Sequence, residues 1–342
     1  MRILVTGAAG FMGSHLVEAL VATGKHQVFA VDDLSGGYIR NTNPKAPFTK
    51  LDLRQKEKVA SYIAHVKPEL LYHLAADATE GRSQFTPISA TERNLMAYMY
   101  TLVPAIKHGL KKVVLTSSMS VYGAQKTPFS EDLKPEPEDI YAVAKTAMEE
   151  TTQILAKVFG FDWVIIRPHN VYGPKQNLAD PYRNVVGIFI NCLLHNRHFY
   201  IYGDGEQKRA FTYIDDFTPY CVRAGLTNRA NGEIVNIGPR EEYTINELSR
   251  IVLAQFFGKN AVPPRFLPKH VPFRPQEVKE AYCTNSKAEK LLGYKTTVHV
   301  PEGVAKMIAW ARTIGKQKFQ YLKDGLELET KDTPATWKQK LI

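Results

Sequence analysis

Ile3-Leu4-Val5-Thr6-Gly7-Ala8-Ala9-Gly10-Phe11-Met12-Gly13 decides how this chain folds. The apolar run is short and ends at glycine, so it reads as a strand buried on both faces. Glycines at 7, 10 and 13 permit a tight turn and let another group come close to bare backbone. The chain from Ser14 to Thr23 then continues as a helix whose N-terminus favours negative charge. A second apolar run, Val28-Phe29-Ala30-Val31, ends in Asp32, nineteen residues after Gly13. A carboxylate there accepts hydrogen bonds from adenosine ribose hydroxyls and repels a 2′-phosphate. The expected ligand is therefore a dinucleotide, NAD rather than NADP.

The composition is that of an ordinary globular protein. At 342 residues, 44% hydrophobic and 23% charged, the chain buries a full core and is not disordered. Charges interrupt every apolar stretch before it reaches the roughly 18 residues of a membrane span, and the N-terminus enters a strand at once. These features predict a soluble, cytoplasmic protein with no membrane association. Cys192, Cys221 and Cys283 are odd in number and widely spaced, so neither a disulfide framework nor a metal site is expected. The net charge of +10 comes without a basic helix, an RNA-binding signature or zinc-finger spacing. Nucleic acid is not an expected partner, whereas an anionic small molecule would use a few of these cations.

Short β-branched runs alternate with amphipathic stretches through residue 170, the pattern of a parallel sheet covered by helices. Strands are predicted at Arg2 to Thr6, Gln27 to Val31, Phe48 to Leu51, Leu70 to His73, Lys112 to Ser117 and Trp163 to Arg167. Leu70-Leu71-Tyr72-His73-Leu74-Ala75-Ala76 runs a strand into small residues that let a ligand approach. A helix of about 25 residues begins after Gln84, with Leu95, Met99, Leu102 and Ile106 at helical spacing. After Pro174 the alternation loosens. The expected fold is α/β, a Rossmann-type doubly wound sheet at 1–174, then a smaller C-terminal α/β substrate lobe at 175–315 and a polar tail at 316–342. Within the lobe, helices are predicted over Asn184 to Asn196, Asp215 to Leu226 and Ile245 to Phe257, with strands at Phe199 to Tyr202 and Ile234 to Ile237.

Tyr141-Ala142-Val143-Ala144-Lys145 sets a phenol and an ammonium four residues apart, on one helical face. A nearby cation favours the phenolate, and an oxidised nicotinamide adds a second positive charge. Leu115-Thr116-Ser117-Ser118 ends the strand expected beside this helix, which makes Ser118 a third catalytic candidate. Its hydroxyl both donates and accepts, as suits a group that serves an alcohol and a ketone in turn.

The glycine run, Asp32, Ser118, Tyr141-x-x-x-Lys145 and Arg167-Pro168-His169-Asn170-Val171-Tyr172-Gly173-Pro174 together resemble the extended short-chain dehydrogenase/reductases, in particular their nucleotide-sugar epimerases. The resemblance covers most of the chain. It implies that the NAD site also takes in Phe11, Met12, Asp33, Asp52 and Leu53 at the adenosine end. Leu74, Ala75, Ala76, Asn94, Ser117 and His169, with Tyr141 and Lys145, lie toward the nicotinamide. For the substrate it implies Asn170, Arg209 and Arg274 at the diphosphate, with Thr79, Ser118 and Ser120 nearer the sugar. His169 stands where several 4-epimerases have an aromatic hydrocarbon, and it is left out of the catalytic set. Family analogy further implies a homodimer through the helices holding Leu95 to Ile106 and Tyr141 to Ala156.

Members of that family differ in the chemistry that comes after oxidation at C4. Its 4,6-dehydratases carry an Asp-Glu pair after the Ser/Thr position, where this chain has Met119-Ser120; decarboxylases tend to a glutamate at the place of Ser120, and 3,5-epimerase and fucose synthase types to a cysteine. What remains is the minimal set for a 4-epimerase working through a transient 4-keto sugar. UDP-glucose/UDP-galactose is the first expectation. Ala281 leaves room for an N-acetyl group, and Thr79, Arg82 and Ser83 could meet the carboxylate of UDP-glucuronate; C2 or C3,5 epimerisation and net oxidoreduction are further alternatives.

Overall fold

The computed structural model describes residues 1–342. Its centre is a sheet of seven parallel strands: β1 (Arg2–Thr6), β2 (Gln27–Asp32), β3 (Phe48–Lys50), β4 (Leu70–His73), β5 (Lys112–Thr116), β6 (Asp162–Pro168) and β7 (Glu233–Ile237). They lie in the order β7-β6-β5-β4-β1-β2-β3. The chain works outward from β1 to one edge, then crosses back to β4 and works toward the other. The carboxyl ends of β1 and β4 therefore diverge into a crevice, where ligands of doubly wound sheets bind.

Alternation along each strand supplies two cores. Ile3 and Val5 of β1, Leu70 and Tyr72 of β4, and Val164 and Ile166 of β6 face one apolar layer. Leu4, Leu71 and Ile165, between them, face the other. With both faces covered, the middle positions of these strands, Ile3 to Val5, Leu70 to Tyr72 and Trp163 to Ile166, are all apolar, which is why short runs without polar alternation read correctly as strands. The first layer contains α1 (Phe11–Ala22), and the second α2 (Lys56–Val66), α3 (Ala97–Lys107) and α4 (Ile140–Phe159). Gly10 and Phe11 already begin α1, three residues before the expected start. The long helix after Gln84 is realised as Pro87–Thr91, a π-helical turn at Glu92–Met96, and α3.

The expected boundary at residue 174 does not divide the sheet. Ile234 to Ile237, assigned to the second lobe, instead belongs to β7, which pairs with β6 from Glu233↔Val164 to Ile237↔Pro168. The apolar Val235 and Ile237 need a neighbour on both faces, and the open edge of β6 provides it. The core layer under β1 runs on without a break through α5 (Val185–Leu194), α6 (Thr218–Leu226), α7 (Ile245–Phe257) and α8 (Val300–Ile314). Three short strands, Lys208–Ala210, Glu242–Thr244 and Glu280–Ala281, form a small sheet beyond the crevice. The three cysteines are buried and free, and no helix is long and apolar enough to cross a membrane.

The tail, which carries too little pattern to assign from sequence, is pinned along its length. Gln317 exchanges hydrogen bonds with Asn191, Gln320 N donates to Ala179 O, and Glu327 takes the Ile88 and Ser89 amides at 2.8 Å each. Its short helix Ala335–Lys338 buries Trp337 against Phe85 and Tyr182, with ring centroids 6.0 and 5.5 Å away.

Candidate active site

One cleft of about 920 Å³ runs along the carboxyl edge of the sheet and continues between the two lobes. At its first end the wall is backbone. Gly7 has φ +67°, and a Cβ there would sit 2.8 Å from Ala75 N and 2.9 Å from Leu74 C. A Cβ on Gly13 would overlap the Gly7 carbonyl oxygen, so the turn and α1 meet at a spacing only glycine permits. Gly10, Phe11, Met12, Ala75 and Ala76 complete this end. Asp32 stands at the tip of β2; its carboxylate accepts from Ala9 N at 3.1 Å and Leu34 N at 2.7 Å, and burial raises its pKa.

Asp33, Asp52 and Leu53 continue the same wall. Two arginines that the sequence did not single out accompany them. Arg54 forks onto Asp52 at 2.7 Å and holds its carboxyl below the ordinary value, and Arg93 reaches Asp33 at 3.5 Å.

At the middle of the cleft, Ser118 ends β5 and caps the turn Met119–Tyr122. Its Oγ accepts from Ser120 N at 3.1 Å and Ser120 Oγ at 2.9 Å. Tyr141 and Lys145 project from successive turns of α4, with Lys145 Nζ 5.6 Å from the Tyr141 ring and donating to Thr116 O at 2.8 Å. Asp139 caps this helix by accepting from Ala142 N at 2.8 Å. Burial lowers the Lys145 pKa to about 7, while Glu149 pulls it back up. Burial also pushes the Tyr141 phenol above its ordinary value. The charges of Glu80 and Asp139 add to that, against a hydrogen bond with Ser118 and the charge of Arg183. Burial and these carboxylates therefore oppose the phenolate, which was expected from Lys145 together with the positive charge of an oxidised nicotinamide.

At the far end Asn170, Arg209 and Arg274 come together. Asn170 Nδ2 donates to Ala210 O at 2.8 Å. Arg274 forks onto Glu277 through Nε at 3.1 Å and Nη2 at 2.7 Å, and its guanidinium lies 4.7 Å above the Tyr202 ring. Arg209 sits 3.9 Å from the same carboxylate. Two guanidinium groups around one carboxylate leave a net positive site, as a diphosphate requires. The tail closes this end: the Tyr202 and Thr336 hydroxyls hydrogen-bond, and Trp337 reaches to within 3.6 Å of where a Cβ on Gly81 would lie. Glu80, Glu277, Arg183 and Trp337 all line the cleft, and none carried a local pattern that marks such a role.

Three expected site residues do not line it. His169 is fully buried beneath the wall, packed against Gly238; burial and neighbouring Arg167 push its pKa down to about 3. Just past the end of β6 its backbone is pinned inward, His169 N donating to Ile237 O at 3.0 Å and its carbonyl accepting from Thr212 Oγ1 at 2.6 Å, while Pro168 and Asn170 on either side reach the cleft. Asn94 lies in the π-helical turn, fully buried, its amide donating to Ala90 O at 2.7 Å and Asp77 O at 3.3 Å. Thr79 is buried and donates to Asp77 at 2.9 Å. Arg82 lines the cleft with Nη2 paired to the same Asp77 and Nε without a partner, and Ser83 Oγ bonds Glu80 O and Asp139. Ser117 reaches the cleft, but its hydroxyl bonds Glu149, whose carboxylate also holds Arg167 at 2.9 and 2.6 Å.

Residues 3–238 match the NAD dependent epimerase/dehydratase family, and the chain belongs to it. Its cofactor is accordingly NAD, and the glycine cradle and Asp32 fit that group. The chain is 35% identical over 321 residues to the UDP-glucose 4-epimerase of Mycolicibacterium smegmatis, an alignment spanning 91% of this chain and 99% of that one. Among solved structures, the UDP-glucose 4-epimerase of Thermotoga maritima with UDP-glucose superposes with TM-score 0.84 at 31% identity, covering 92% of this chain and 99% of that one. The UDP-glucuronic acid 4-epimerase of Bacillus cereus, with UDP-glucuronic acid and NAD, gives TM-score 0.83 at 31% identity, covering 92% of this chain and all of that one. The enzyme class is thereby that of NAD-dependent nucleotide-sugar epimerases.

Proposed function

We propose that this chain inverts C4 of a UDP-hexose, interconverting UDP-glucose and UDP-galactose. The observation that carries the reading is the meeting of Ser118, Tyr141 and Lys145 midway between the glycine cradle and the paired arginines. A sugar bridging those ends has its reacting carbon at the triad. Gly7, Gly10 and Gly13 take the cofactor's pyrophosphate, Asp32 the adenosine ribose and Lys145 the nicotinamide ribose. Reversible acceptance of hydride from C4 is the chemistry that bound NAD supplies. Tyr141 would act as the phenolate that Lys145 and the positive charge of an oxidised nicotinamide favour, taking the proton of the C4 hydroxyl while Ser118 holds the carbonyl oxygen that forms. Tyr141 returns the proton after the 4-keto sugar has turned its other face, so no net oxidation results.

Binding of the diphosphate by Asn170, Arg209 and Arg274 leaves the sugar one pivot about which to turn. The ion pair of Arg82 with Asp77 leaves the two without net charge, which favours a neutral sugar over a uronate. Tyr141→Phe is expected to keep its NAD and lose about 10²- to 10⁴-fold in turnover of UDP-galactose. Full activity in that variant, assayed without added NAD, rules the assignment out.

The same reading includes a homodimer through α3 and α4. Val143, Ile154, Val158 and Phe159 of α4 and Val103 of α3 are exposed apolar side chains on the two helices concerned. Light scattering should report a dimer, and Val158→Glu should shift it to monomer; a wild-type monomer at micromolar concentration contradicts this part.

A further inference from the structure

Glu80 is a charged group at the catalytic serine to which the proton and hydride shuttle gives no task. It opens the short helix Glu80–Ser83 after β4, is exposed to the cleft, and its Oε1 accepts from Ser118 Oγ at 3.5 Å. Neither arginine of the far wall is paired with it. Arg274 is forked onto Glu277, and Arg209 donates to the backbone carbonyls of Lys208, Lys279 and Val278. Burial raises the Glu80 carboxyl above its ordinary value, and the charges of Arg209 and Arg274 with the Ser118 hydrogen bond draw it back down. A solvent-accessible carboxylate thus stands between the hydroxyl that holds O4 and the guanidinium groups that hold the diphosphate, along the space a hexose has to fill.

We propose that Glu80 is the specificity-determining residue for the sugar: it accepts hydrogen bonds from the hydroxyls flanking C4 and excludes hexoses that carry a carboxylate at C6. The inference rests on the C4-epimerase reading above. Inversion at C4 demands that the 4-keto sugar present both faces to the same cofactor. A half-turn about the axis from the anomeric oxygen to C4 exchanges the ring's two edges, the C3 hydroxyl side and the C5–C6 side. A group beside Ser118 therefore meets the C3 hydroxyl in one orientation and the C6 substituent in the other. Hydroxyls suit a carboxylate in both. A uronate sets carboxylate against carboxylate in one of them, in a cleft walled by protein where like charges repel strongly, so one half of the cycle is opposed.

The test compares wild type, Glu80→Gln and Glu80→Ala with UDP-glucose, UDP-glucuronate and UDP, using calorimetry for binding and kcat/KM for epimerisation. Wild type should favour UDP-glucose over UDP-glucuronate by about 100-fold in kcat/KM, and both substitutions should lower that ratio about tenfold or more. The three proteins should retain NAD and bind UDP alike, which shows that the cleft is intact. A wild type that epimerises both sugars equally, or a ratio that stays within about twofold in both variants, overturns the proposal. Failure of wild type to epimerise any UDP-hexose sinks the C4-epimerase reading instead. The calorimetric preference between the two sugars, and its loss in the variants, then still judges Glu80, and a protein that binds no UDP-sugar sinks both.

Discussion

The two ends of the cleft are built from different material. The cofactor end is backbone: glycines at 7, 10 and 13 and the strand ends after β1, β2 and β4 form a surface whose shape is set by residues adjacent in the chain. The far end is side chains, gathered from Glu80, Asn170, Arg209, the pair Arg274 and Glu277, and Trp337, segments remote from one another in sequence. Backbone recognition is rigid and shared across a family. Side-chain recognition is adjustable, and it is where relatives of the same fold, naming UDP-glucose in one case and UDP-glucuronic acid in another, can diverge.

The contrast breaks most sharply at Gly13. Gly13→Ala pushes a methyl into the Gly7 carbonyl, so NAD affinity is expected to fall roughly 100-fold, read by calorimetry and by the NAD content of the purified protein. Unchanged NAD content would mean that the glycine end tolerates side chains after all. At the other end, Trp337→Ala removes a ring buried among Phe85 and Tyr182 and loosens the strap over the cleft. The KM for the nucleotide sugar should rise about tenfold with NAD content unaltered. If both ligands weaken together, the two ends are not independent.

The smallest effect lies where the ends meet, at Asp139, which caps α4 and faces Glu80. Burial, with the charge of Glu80 beside it, raises its carboxyl from 3.8 to about 7. The native state then holds a proton that the unfolded chain has released, so stability falls as pH rises from about 4 through 7. Asp139→Asn keeps a capping side chain and removes the titration. The thermal midpoint of wild type, relative to this variant, should drop by roughly 5 °C across that interval. A difference flat in pH would show that the carboxyl titrates at its ordinary value.

Much of this contrast was legible before any coordinates. Strands at Arg2, Gln27, Leu70 and Lys112 were readable because a parallel sheet covered on both faces accepts only apolar residues, and Gly7, Asp32, Ser118, Tyr141 and Lys145 announce themselves at strand ends and helical spacing. His169 was misplaced because the motif around it invites a cleft role, whereas hydrogen bonds to Ile237 and Thr212, distant in sequence, hold it inward. Thr79 and Asn94 were misplaced for a related reason: each lies on a segment that borders the cleft, but both are drawn toward Asp77. The boundary at 174 failed because β7 returns to the sheet after a long excursion.

The sequence by itself determined the strands of the doubly wound sheet, the glycine cradle and the placing of Tyr141 and Lys145 on one helical face, since each depends on residues within a turn or two of one another, where spacing dictates geometry. Tertiary structure alone decided that Arg209 comes within reach of Glu277, that Glu80 stands at Ser118, and that a polar tail walls the cleft. Those contacts join segments tens to hundreds of residues apart, and no local pattern records which distant partners a side chain will meet.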